Sequence, residues 1–444
     1  VAPILVLADW LIYDSAQLPA QGWGVAIEGT HVIGVGAHAD LRVTYPDATV
    51  HNAHGQIVAP GFVNAHTHLY GVLAHGIPPA AQVLDFWGFL SNYWWPQVED
   101  RLDHAMLGAA ADYACSEMLR SGVTSFFDVL EAPNVLPGGL TVQAERVRRW
   151  GLRAVLTFEA TQRVSHENGM RGLAENITFI DMQRDLSAHS INNLITGALC
   201  FHTTFTCDDA FIQRAFALGT ESDVLVHFHC SEGRYEPDHC LKRYGKRTLE
   251  HYADLGVLSG RALASQCVQI SPHEMELLAE YGVRVTSMPL SNCEVGGGFA
   301  PLPEMDRAGV SLGLGTDGYV NNYFALMRGA YLMHKARLQD PTIMPADRVW
   351  HMATEGGAHA IGLEKVGALK PGYAADLIAI DADLPTPLTA HNLREQVILW
   401  RDPEHIRAVM VAGQWRAQVS DPAELRAHTR EQAARLWGVN PNAN

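Results

Sequence analysis

The sequence predicts an α/β fold: a (β/α)8 TIM-like barrel with a small β-sandwich built from both chain termini. Three observations carry that expectation. Through the middle of the chain, short apolar runs alternate with longer amphipathic stretches, the pattern of repeated βα units. Both ends instead hold short β-type runs broken by Gly, Asp and His. The 444 residues suffice for one large barrel and a satellite.

In chain order, residues 4–7, 24–28, 32–35 and 49–51 read as strands of a small, mostly antiparallel unit. The run 57–64 opens the barrel, and 123–128, 154–159, 194–202, 224–229, 264–270, 283–288 and 311–315 supply seven more strands. Such near-continuous apolar runs suit a parallel sheet covered by helices. Helix-length stretches between them include 103–120, 143–150 and 273–281. After Gly362 the pattern reverts, with a turn at 367–372 and strands at 375–381 and 408–411. These terminal strands bury their apolar faces most simply by pairing with the N-terminal ones. The expected organisation is a discontinuous sandwich of residues 1–57 and 364–420, a barrel of 58–363 and a helical tail of 421–444. No fixed repeat, low-complexity segment or charge block interrupts it.

With 48% hydrophobic and 18% charged residues, the chain can build an extensive core. A formal charge of −16 argues against nucleic acid and anionic membrane, which both need a basic face to replace counterions. A small-molecule substrate is the partner expected. Seven cysteines stand singly with no CxxC pair, as reduced thiols do. The first residues lack a basic region ahead of their apolar run, and no apolar stretch reaches the roughly 18–20 residues of a membrane span. The expected location is the cytoplasm.

Chemistry concentrates at predicted strand ends. Gly61-Phe62-Val63-Asn64-Ala65-His66-Thr67-His68 places two His at i and i+2, projecting the same way from a strand, where two imidazoles can share one ion. A bare HxH in a chain with 22 His is equally compatible with solvated surface or satisfied core. Two later strands also end in polar groups, Val226-His227-Phe228-His229-Cys230-Ser231-Glu232 and Gly313-Leu314-Gly315-Thr316-Asp317-Gly318. In a parallel barrel all such ends share one rim, so residues far apart in sequence converge there.

HTH after the first strand, HxxE after the fifth and GTDG after the eighth resemble the amidohydrolase superfamily. The branch is the one containing guanine, cytosine and adenosylhomocysteine deaminases and triazine hydrolases. The resemblance spans nearly the whole chain, from Ile27-Glu28-Gly29 and Ala59-Pro60-Gly61-Phe62 through Ser121-Gly122-Val123-Thr124 and Met288-Pro289-Leu290-Ser291-Asn292 to Lys370-Pro371-Gly372-Tyr373-Ala374-Ala375-Asp376. Tyr244-Gly245-Lys246 and Gly315-Thr316-Asp317-Gly318-Tyr319 look closest to aminohydrolases of purine-catabolic clusters.

The resemblance implies that His66, His68, His229 and Asp317 bind one divalent metal, Zn²⁺ or alternatively Fe²⁺, with a water completing the set. Asp317 would accept the water's proton, and Glu232 would protonate a ring nitrogen and then the leaving group. One departure bears on this. Where the family usually has a His after the sixth strand, this chain has Gln266, which does not titrate near neutrality but is expected to hold the hydroxide or a substrate carbonyl in place by hydrogen bonding. The fourth strand ends without a Lys able to bridge two metals, so one metal is expected.

Substrate contacts are expected from His202, Tyr70, Trp87 and Asn292, although His202 reads equally as a His satisfied within the rim loop. His75, Trp94 and Trp95 share the region after the first metal motif, which can act as a lid, stack on a flat heterocycle or form a contact in a homodimer or higher homo-oligomer. Glu159 and Asp128 are candidate rim hydrogen-bonding groups, and His273 is expected on the surface at a helix start. The leading function is hydrolytic deamination of a small N-heterocycle of purine, pyrimidine or pterin type. Ring opening of a cyclic amide, or displacement of chloride or a thioether, is the alternative at the same centre. A non-catalytic metal-binding module is a third, against which the intact Glu232 and Asp317 count.

Overall fold

A computed structural model of the chain describes residues 2–189, 193–318, 321–417 and 422–440. Eight barrel strands follow one another in parallel: Phe62–Thr67, Val123–Leu130, Arg153–Ala160, Leu199–Phe201, Val226–Cys230, Ala262–Gln266, Arg284–Ser287 and Ser311–Leu314. The fourth is shorter than its apolar run suggests. Ile195–Gly197 pairs with the third strand by itself, and Leu199–Phe201 then joins both neighbours. The seam between first and eighth strands is held by a bridge between Thr67 and Asp317, and Asp317 N–H donates to the His66 carbonyl at 3.1 Å. Across the same seam the Asn64 amide exchanges two hydrogen bonds with Thr316, at 2.7 and 3.0 Å.

The period of two along each strand decides what faces the axis. Val63, Phe127, Val129, Val155, Cys200 and Leu263 pack together inside the barrel, whereas Phe62, Phe126, Phe158, Phe201 and Phe228 belong to the outer layer beneath the helices. The helices start where short polar side chains satisfy the first free N–H groups. Asp103, Asp208 and Ser271 cap His104–Arg120, Asp209–Glu221 and Pro272–Glu280, the last through a full capping box with Glu274. His273, exposed on that box, takes no part in the rim.

The terminal strands form one sheet in the order Gln414–Arg416, Ile406–Val411, Leu377–Asp381, Thr49–Pro60, Ile4–Leu11, Trp23–Glu28, His31–Ala37, with Ala20–Gln21 against Ile4–Leu11. Its far edge folds back until His31 bridges Ala374, so Val6, Val25, Ile27, Val58, Leu377 and Met410 enclose a second core. The helix Ala423–Trp437 docks on the barrel, where Trp437 Nε1–H donates to the Leu73 carbonyl at 2.7 Å. Among the described residues no helix is long and apolar enough to cross a membrane.

Candidate metal centre and active site

The first strand is irregular where it matters. Its pairing with Val123–Leu130 shifts register between Asn64 and Thr67, which turns His66 and His68 together, their Nε2 atoms 3.3 Å apart. His68 Nε2 also lies 3.3 Å from Asp317 Oδ1. Ring nitrogens of His66, His68 and His229 all fall within 4.8 Å of one another, in a buried cluster. Asp317 reaches it from a left-handed backbone, φ +60°, a conformation in which Asp is among the less penalised residues.

The protons on these rings follow from their partners. His68 Nδ1 lies 2.7 Å from the Val129 carbonyl, which can only accept, so Nδ1 carries the proton and Nε2 the lone pair. His229 Nδ1 donates to Glu159 Oε1 at 3.2 Å, and His66 Nδ1 lies 3.1 Å from His227 Nε2. If His66 donates there, His227 is left to donate from Nδ1 to the Cys200 sulfur, 3.1 Å away. Burial holds His66 and His227 well below the ordinary imidazole range, so both are neutral at pH 7. Burial also lowers His229, but Glu159 outweighs it and holds the ring up at about 9, so a cation on Nε2 would displace a proton. Nitrogen lone pairs and a carboxylate oxygen thus point at one place. Two such lone pairs at 3.3 Å repel unless a cation lies between them, and the donor set fits a divalent metal.

Asp317 is fixed at both oxygens. Gly318 N–H donates to Oδ1 and Gln266 Nε2 to Oδ2, each at 2.8 Å. By strand parity Ser265 follows Leu263 on the inner face. Gln266 reaches the rim because its own φ of +73°, followed by +47° at Cys267, turns the chain there. Gln266 therefore touches the carboxylate, and Gln266 Oε1 is buried with no hydrogen-bond partner among the described residues.

A small cavity of about 40 Å³ opens beside this cluster, between His68, His229, Glu232 and Asp317 and the aromatic Phe86, Phe89, Trp94 and Trp95. Burial, and next the charge of Asp317, push the Glu232 carboxyl up to about 8, so it is protonated at neutral pH. The aromatic wall is one run of helical turns, Phe86–Phe89, Leu90–Trp94 and Trp95–Gln97, started by an Asp85 cap. A larger cavity of about 950 Å³ lies among Thr196, Leu225, Arg261 and Arg284, around the strand starts, at the mouth where barrels carry no chemistry.

Of the expected substrate contacts, His202 lines the cavity, its Nδ1 3.0 Å from Thr206 Oγ1, and burial lowers it to about 3. Tyr70, Trp87 and Asn292 do not line this cavity. Tyr70 spends its hydroxyl on Glu99 at 3.0 Å, and Trp87 stacks on Tyr235 with centroids 4.2 Å apart. Asn292 is wholly buried; its backbone carbonyl accepts from Gly297 and Gly298 N–H, and its side-chain amide has no hydrogen-bond partner among the described residues. His75 Nε2 lies 2.8 Å from the Gly318 carbonyl, tying the lid region to the Asp317 loop. Asp128 accepts from Leu69 N–H at 2.7 Å and thereby shapes the turn after His68. Tyr319 lies outside the described residues.

Sequence reasoning passed over His227, the Val129 carbonyl, Glu99, Glu131 and Ser291. His227, Val129 and Glu131 had a signal, because they share strand parity with inward residues or sit just beyond a strand end. Glu99, in the lid region, had none.

A sequence model of the Amidohydrolase family matches residues 57–416. The chain is 30% identical over 420 residues to a 5-methylthioadenosine/S-adenosylhomocysteine deaminase of Nitratidesulfovibrio vulgaris, covering 93% of this chain and 90% of that protein. It is 33% identical over 341 residues to a 5′-deoxyadenosine deaminase of Methanothermobacter thermautotrophicus, covering 76% of each. The crystal structure of a zinc-bound adenosine deaminase from Xanthomonas campestris superposes with a TM-score of 0.86 at 26% identity, over 99% of both chains.

Proposed function

The chain belongs to the Amidohydrolase family and is a metal-dependent hydrolase of C–N bonds, and on that premise we propose that it deaminates a small amino-bearing N-heterocycle of purine or adenosine type. One observation carries the reading: His68, His229, the Asp317 carboxylate and a protonated Glu232 border one cavity, and His66 clusters with the two imidazoles. Zinc is the metal proposed, since a zinc-bound adenosine deaminase shares the fold at 26% identity.

A divalent metal held there lowers the pKa of water from 15.7 towards about 7, which supplies the nucleophile at neutral pH. The protein's own groups do the rest. Asp317, held at both oxygens, takes the proton from the attacking water on the carbon bearing the amino group. Glu232 gives its proton to the adjacent ring nitrogen, and protons returned through these two carboxyl groups let ammonia leave. The balance is one amine and one water to one carbonyl and one ammonia. The aromatic wall excludes bulk water once a flat ring lies against it.

The test is metal analysis of the purified protein, followed by ammonia release from purines, adenosine-type nucleosides, pyrimidines, pterins and cyclic amides. About one equivalent of metal and release from an aminopurine or adenosine-type compound are expected. Ring opening of a cyclic amide with no ammonia release would overturn the deaminase reading and leave the hydrolase.

A further inference from the structure

The cavity of about 950 Å³ at the opposite mouth of the barrel has the size of a small-molecule site. Part of its wall is apolar, from Val155, Ile180, Ala198, Leu225 and Ile361, and three arginines, Arg184, Arg261 and Arg284, line the same space. They arrive from separate elements: Arg184 from the helix His166–His189, Arg261 from just ahead of the sixth strand, and Arg284 as the first residue of the seventh. Two carboxylates, Asp223 and Glu364, also line it, both exposed. A chain of formal charge −16 thus carries a surplus of positive charge here.

Packing accounts least well for Arg284. Its register partner in the sixth strand is Leu263, which faces the barrel interior, so Arg284 stands on the inner face at the barrel floor. Its Nη1 donates to the His359 carbonyl at 2.6 Å, which ties down the end of the helix Glu355–Ala360 and leaves most of the guanidinium fork unused. Burial lowers its pKa, and among the described residues no carboxylate pairs with it to offset that cost. Arg184 donates to the Ser222 carbonyl and likewise has no carboxylate partner among the described residues. Arg261 pairs with Asp223 at 2.6 Å, an exposed pair of the kind that contributes little. Gln183 lines the cavity too, 2% exposed, and its buried Nε2 has no hydrogen-bond partner among the described residues. Buried donors left this way are costly unless a ligand or water completes them.

We propose that this cavity binds a small organic phosphate, its phosphoryl oxygens on Arg184, Arg261 and Arg284 and its carbon body on the apolar wall. Guanidinium forks stay charged and match phosphate oxygens in shape. Forks converging from three elements suit a group that presents several oxygens in different directions, as phosphate does and a flat carboxylate does not. The site lies at the end of the barrel away from His66, His68 and His229, so the phosphate is a second ligand and not the molecule hydrolysed there. Its binding does not depend on which reaction the metal centre performs.

The test titrates phenyl phosphate, benzoate and phenol by calorimetry into zinc-loaded protein and into protein stripped of metal with 1,10-phenanthroline, because phosphate oxygens also bind zinc. In both preparations phenyl phosphate should saturate a site at least about 10-fold more tightly than benzoate, with phenol weaker still. Arg284→Gln should weaken that binding at least about 10-fold, and Arg184→Gln, at an exposed position, gives an independent reading should Arg284→Gln fail to fold. No saturable binding to the stripped protein, benzoate or phenol bound as tightly as phenyl phosphate, or an affinity unchanged in both variants would overturn the proposal.

Discussion

Gln266→Ala isolates what the amide contributes to the metal centre. Gln266 is wholly buried, and its Nε2 donates to Asp317 Oδ2 at 2.8 Å. Both residues are non-glycine, so the cost of the left-handed backbone at φ +73° is common to wild type and variant and cancels. What is lost is one hydrogen bond to a charged acceptor, about 1.5–3 kcal/mol. At about 1.4 kcal/mol per decade that is about 10- to 150-fold. Gly318 N–H still holds Oδ1 at 2.8 Å, so the carboxylate remains partly fixed and the lower half of that range is expected. Zinc affinity from chelator competition and kcat on the compound found by the ammonia screen should both fall by such a factor, with thermal stability shifted by only a few degrees. Unchanged affinity and turnover would refute the holding role. Complete loss of metal would show that the amide belongs to the coordination shell.

Other outcomes follow from the same geometry. His68→Ala removes the imidazole nearest both His66 and Asp317, so the purified variant should lack tightly bound metal by elemental analysis. Glu232→Gln should keep the metal and lose at least about 10²-fold in turnover. Because Glu232 works protonated and its carboxyl sits at about 8, the wild-type rate should fall as pH rises through that value, and a pH–rate profile of Glu232→Gln should lack that limb. Glu159→Gln leaves the His229 Nδ1–H a neutral acceptor in place of a carboxylate, and zinc affinity should drop about 10- to 100-fold by chelator titration. A methyl group at Gly315 would meet the His66 backbone N and O at 2.7 and 2.6 Å, so Gly315→Ala should destabilise by about 1–3 kcal/mol in urea melts and reduce metal content, since the rigid seam cannot yield.

Much of this site is legible because the barrel rim is a rule of topology. Once 62–67, 226–230 and 311–314 are parallel strands, His66, His68, His229 and Asp317 must meet at their C-terminal ends. Strand limits were less legible. The break at Ala198 comes where Ile195–Gly197 pairs with one neighbour only, a tertiary matter that an apolar run does not encode. Tyr70 and Trp87 are less legible because aromatic residues near a motif are as useful in packing the lid as in holding substrate, and their partners Glu99 and Tyr235 come from other segments. Gln266 was located in sequence, but its contact depends on two consecutive left-handed residues that no periodicity announces.

The two HxH motifs show how far spacing alone can carry an argument. His66 and His68 look in sequence like His227 and His229, and each pair places two rings on one side of a strand. A regular strand rises about 6.6–6.8 Å over two residues, so the members of a pair should sit in successive layers of the barrel and only one should reach the rim. The fifth strand is regular against its sixth-strand neighbour, and there His229 joins the ligand cluster while His227 stays a layer deeper beside Cys200 and Phe127. The first strand is irregular, and its register shift between Asn64 and Thr67 brings both rings to one level. The deeper His227 then meets His66 from below and takes up Nδ1 of His66. The repeated motif therefore supplies two ligands on the irregular strand, and on the regular one a ligand, His229, and the ring that supports His66.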